Sequence, residues 1–97
     1  MVSVISVKKL HKIERIDQVV REYFEENSHM NEILAKNLMR RFIDKGIFLR
    51  DYDNGLPIRQ LLRLLNKENK LHLLKHCKVM RRGVNRSWYF VKLKTPL

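Results

Sequence analysis

Apolar residues along this chain recur first at intervals of three and four, and later at intervals of two. Between residues 9 and 26, Ile13, Ile16, Val20 and Phe24 keep the helical interval, with Lys12, Arg15, Arg21 and Glu22 between them. That spacing predicts an amphipathic helix with one core-facing stripe. Asn27-Ser28 brings capping chemistry and marks a gap. A second helix is expected over residues 31–45, on a stripe of Leu34, Leu38 and Phe42 widened by Ala35, Met39 and Ile43. Gly46 reads as its left-handed stop, with Ile47 placed to fold back onto Phe42.

Residues 48–55 are the expected connecting loop, with Asn54-Gly55 as the turn signal and Asp51 and Asp53 as turn-forming acids. Pro57 suits the first turn of a third helix, where its missing N–H has no partner to lose. This helix should end about residues 66–68. Ile58, Leu61, Leu62 and Leu65 point inward, and Arg59, Gln60, Arg63, Asn66 and Lys67 fall on the other side. After Lys70 the period moves toward two. Leu71-His72-Leu73-Leu74 and the run from Cys77 to Arg82 read as one strand with an irregularity near Lys75-His76. Gly83-Val84-Asn85 supplies a turn, and residues 87–93, with Trp88, Tyr89 and Phe90, form a β-prone return strand.

The expected fold is therefore α+β and mainly α, a three-helix bundle followed by a C-terminal β-hairpin. The 97 residues hold no repeat, linker or low-complexity tract, so residues 1–97 read as one domain. Residues 1–8 stand apart as an N-terminal arm or edge strand. Their apolar Val2, Val4, Ile5 and Val7 are candidates for docking or self-association, which would make a homodimer.

Three helices followed by a basic hairpin resemble the winged helix-turn-helix family of DNA-binding domains. The resemblance rests on residues 57–65, the following Lys67-Glu68-Asn69-Lys70-Leu71, and the hairpin from Arg81 to Phe90, and it covers roughly residues 14–93. It implies a third helix in the major groove and a hairpin tip on the backbone or minor groove. One departure is the connection between the second and third helices, about ten residues against the three or four of the compact motif.

Charge sharpens this picture. The formal charge is +11, yet residues 1–27 hold five Lys/Arg and five Asp/Glu, and residues 28–55 hold five and four. Residues 56–97 hold eleven against one. A positive field gathered in one half suits a polyanion, with an acidic or ribonucleoprotein partner and a membrane surface as the alternatives. The candidate contacts are Arg59, Gln60, Arg63, Asn66 and Lys67 on the third helix, and Lys78, Arg81, Arg82, Asn85 and Arg86 on the hairpin. Arg grips a guanine edge through two hydrogen bonds, and Gln or Asn does so with adenine. Hairpin cations suit phosphates, and they also protect an exposed strand edge from aggregation. Trp88, Tyr89 and Phe90 read as core rather than as a stacking platform, because three consecutive strand residues cannot share a face.

Other chemistry finds little support. His72, His76 and Cys77 invite a metal reading, but no second Cys or nearby carboxylate completes the ligand set that zinc takes. The run from Asp51 to Gly55 departs from a calcium loop, with its glycine one position early and Leu62 at the twelfth position. Cys77 has no catalytic motif around it and reads as a buried strand residue, and the three glycines form no phosphate cradle. The expectation is a non-enzymatic, cytoplasmic nucleic-acid-binding protein without cofactor or small-molecule substrate. Duplex DNA is the first partner and RNA a weaker one, in the role of a transcription regulator or accessory factor. The alternative is a protein or ribonucleoprotein adaptor. No apolar run approaches the roughly 18–20 residues of a membrane-spanning helix, and the single Cys77 forms no internal disulfide.

Overall fold

The structure, a computed structural model, describes residues 7–84 and 86–93. Helix α1 spans Val7–Glu26 and buries Ile13, Ile16, Val19, Val20 and Phe24 along one side. Val7 and Lys8, expected in an arm or edge strand, are helical and are its first described residues; the rest of that expected arm, residues 1–6, lies outside the described residues. Asn27 closes the helix, its side-chain amide and its backbone N–H both donating to the Tyr23 carbonyl at 2.9 Å.

The second helix is shorter than its stripe predicts. Glu32–Leu34 form a strand, β1; Ala35–Leu38 make a 3₁₀ turn; and α2 covers only Met39–Asp44. Leu34 fits the helical interval, so periodicity alone assigns it to the helix. Pairing with a strand more than fifty residues away wins instead, since β-structure is decided by its neighbours more than by local preference. The C-terminal boundary is as expected. Gly46 has φ +72°, Gly46 N–H donates to Ile43 O (2.9 Å), and Ile47 N–H donates to Phe42 O (2.8 Å), which brings Ile47 into the core.

Residues 45–55 connect α2 to α3, which spans Leu56–Lys67 with Pro57 in its first turn. Asp51 holds the loop by accepting the Gly55 N–H at 2.9 Å. Ile58, Leu62 and Leu65 are fully buried. Asn69, at φ +60°, ends the helix as Gly46 ends α2, with Lys70 N–H donating to Leu65 O at 2.7 Å. Leu71–Leu73 form a 3₁₀ turn rather than the expected strand. Leu-His-Leu mimics an alternating pattern, but no strand lies opposite it.

The partner strands are β2, Cys77–Arg82, and β3, Ser87–Lys92. They pair antiparallel from Cys77 opposite Lys92 to Arg82 opposite Ser87. β1 pairs antiparallel on the other side of β3, with Ile33 opposite Phe90, so the expected hairpin is part of a three-stranded sheet in the order β1-β3-β2. Phe90 and Phe42 are fully buried where the sheet meets the helices, their rings edge to face at 6.4 Å. Trp88 is buried beside them and Tyr89 is not, as strand alternation requires. No helix among the described residues is long and apolar enough to cross a membrane.

Candidate nucleic-acid interface

The hairpin turn and the first half of α3 face one another across an open groove of about 300 Å³. Arg59 and Arg63, one helical turn apart on α3, form one wall, and Arg81 and Arg86 of the hairpin form the other. Lys36 of the 3₁₀ turn joins them, with Leu34, Asn54, Ser87 and Trp88 completing the lining. Among the described residues no carboxylate lines the groove.

Gly55 explains how Lys36 comes so close. Its φ is +78°, and a Cβ there would stand 2.5 Å from the Lys36 Cβ and 2.8 Å from its Cα. The backbone at the start of α3 thus rests on the 3₁₀ turn, a fit open only to glycine.

The groove cations differ in freedom. Arg59 is half-buried and turned back on the loop, its Nε donating to Asn54 O at 3.1 Å and its Nη2 to Asp53 O. Arg81 lies 4.9 Å from the centre of the Trp88 ring, and its Nε donates to Arg86 O at 3.1 Å. Both guanidiniums are therefore held in place as fixed positive charges. Arg63 and Arg86 are exposed and have no ion-pair partner among the described residues.

Among the other sequence candidates, Gln60, Asn66 and Lys67 are exposed on α3 but do not line the groove. Lys78 and Arg82 project from the sheet face opposite to Arg81, because side chains alternate along a strand. Arg82 is paired with Glu32 and lies 4.6 Å from the Tyr89 ring centre. Donating a hydrogen bond to the Glu32 carboxylate raises its pKa further, so its charge is permanent but already matched. Asn85 lies outside the described residues. Lys36 and Asn54 were not foreseen. Periodicity places Lys36 on an ordinary helix flank, and only the close approach of Gly55 brings it to the groove.

A second polar cluster lies between α1 and the start of β2. Asp17, only 5% exposed, accepts the His76 backbone N–H at 2.9 Å and meets His76 Nδ1 at 2.5 Å. Cys77 is buried beside them, and burial first, then the Asp17 charge, pushes its thiol up to about 12. His76 thus serves as a tie between helix and sheet, and Cys77 is held as an inert thiol. His72 is exposed on its own turn, and no three metal-ligating side chains converge among the described residues.

The three-helix bundle with its three-stranded antiparallel sheet is consistent with a generic winged-helix-like fold. No family model, curated protein or solved structure matches the chain.

Proposed function

We propose that this protein is a non-enzymatic nucleic-acid-binding domain that holds duplex DNA along the groove between α3 and the β2–β3 hairpin, as a regulator or accessory DNA-binding factor. The observation that carries the reading is the convergence of Lys36, Arg59, Arg63, Arg81 and Arg86 on one groove, with no carboxylate among the described residues that line it. Five like charges at such range repel one another, and a polyanion laid between them relieves that repulsion. Arg59 and Arg81, fixed by backbone carbonyls, act as phosphate anchors that set register. Arg63, with Gln60 on the adjoining surface, is free to reach base edges.

The test is a gel-shift series with duplex DNA, single-stranded DNA and RNA at two salt concentrations. Duplex DNA should bind best and weaken steeply as salt rises, because neutralised phosphates release counterions. Arg63→Ala combined with Arg86→Ala should cost about 1–3 kcal/mol for a base-reading contact, plus a smaller phosphate loss. Unchanged duplex affinity in that double variant removes the groove from the interface. A preference for RNA, or binding of neither nucleic acid, replaces duplex DNA as the partner.

A further inference from the structure

A second cationic surface stands at the other end of the molecule's charge pattern. Lys8, His11, Lys12 and Arg15 lie three and four positions apart along the first half of α1, and with Gly46 and Ile47 they line an open cleft of about 400 Å³. Among the described residues no carboxylate lines it, and it shares none of them with the groove beside α3. The cleft is partly fixed. Lys12 Nζ rests 4.5 Å from the centre of the Phe48 ring, and Arg15 Nη2 donates to the Lys45 carbonyl. Lys8 and His11 project freely into solvent.

The positive end of a helix dipole favours acidic residues and its negative end favours basic ones. In the described span of α1 the first turn has no acidic residue and the last turn no basic one; Lys8 and Lys9 lie among its first described residues, and Glu25 and Glu26 close it. The closing end is arranged against the helix's own field. A charge pattern kept against local preference points to a use outside the helix.

The geometry points to a second phosphate-backbone site at the opening of α1, so that one chain holds two separate segments of nucleic acid. The inference rests on the groove reading for its first segment; the second site stands on its own cations. The occupant is identified by charge complementarity. Four basic side chains spaced along a helix face match a repeating phosphodiester, and they need no base contact to hold it.

Native mass spectrometry with a DNA hairpin whose stem is about one helical turn long counts the segments held per chain. The unaltered protein should carry two hairpins on one chain. Lys8→Glu with His11→Glu should carry one, its first-hairpin affinity changing by less than about threefold while the second falls by more than about tenfold, because the lost contacts lie outside the groove. Misfolding is told apart by a thermal melt: both exchanged side chains are exposed, so this variant should melt close to the unaltered chain. One hairpin per chain in the unaltered protein, or two in the Lys8/His11 variant, overturns the proposal. Arg63→Glu with Arg86→Glu separates the two readings. One hairpin, removed in turn by adding the Lys8/His11 changes, supports the α1 site, and two hairpins of undiminished affinity sink the groove while leaving that site intact.

Discussion

Cys77 reads the packing of its surroundings more directly than any other single side chain. Its ordinary value is 9.0, and burial with the Asp17 charge nearby moves it to about 12 in the folded protein. Between those two values the unfolded chain has released the thiol proton and the folded chain still holds it. The folded state therefore binds more protons, and stability falls as pH rises from about 9 toward 12, with a slope for this group approaching about 1.4 kcal/mol per pH unit. Denaturant unfolding of the native protein and Cys77→Ala across that window should give curves whose slopes differ by this contribution. Equal slopes would mean that the thiol is not shielded. Below pH 8 the same shielding predicts slow labelling by thiol reagents until the chain unfolds. Asp17 works beside it as a tie. Asp17→Ala should lower stability by about 2 kcal/mol, because it strips the His76 backbone N–H of a charged acceptor in a buried place.

At the scale of elements, two glycines with nearly the same backbone separate conformational strain from close packing. Gly46 and Gly55 have φ of +72° and +78°, but a Cβ at Gly46 meets nothing within 4 Å, and one at Gly55 strikes the Lys36 Cβ and backbone. Gly46→Ala should cost about 1 kcal/mol, the left-handed penalty alone. Gly55→Ala should cost at least about 2 kcal/mol more, since the start of α3 must lift off the 3₁₀ turn. It should also weaken binding, because Lys36 and Arg59 part. Thermal melts and DNA titrations of the two variants check both statements; equal losses would show that the contact with Lys36 bears no weight. The same pair marks what was legible in the sequence. Gly46 as a stop with Ile47 folded back, Pro57 at the head of α3, and the turn after Arg82 are all local signals, and each lies where it was read. The approach of Gly55 to Lys36, the strand at Glu32–Leu34, and the absence of pairing at Leu71–Leu73 depend on residues far along the chain, which no window of periodicity contains. Arg59, Arg63, Arg81 and Arg86 were legible as cations, but the separation of Arg81 from Arg82 needed the strand register. The cationic opening of α1 was hidden by averaging: five bases and five acids over residues 1–27 cancel in the sum but not along the helix.

At the scale of the whole molecule, charge +11 alone would attract DNA, so the groove must be told apart from diffuse attraction. Salt dependence does this. Each phosphate neutralised at a fixed position contributes about 0.9 to the slope of log affinity against log salt, and a cation merely nearby contributes less. Arg63→Ala with Arg86→Ala removes two groove cations and should flatten the slope by about 2. Arg21→Ala with Arg40→Ala removes the same net charge from sites that line neither cationic surface, where Arg21 faces Glu25 and Arg40 faces Asp44. That pair should leave the slope close to that of the unaltered protein. The two double variants carry identical net charge, so any difference between them reports position. If both flatten the slope equally, the polyanion senses the molecule as a sphere of charge, and the wall between α3 and the hairpin has no privileged part in holding it.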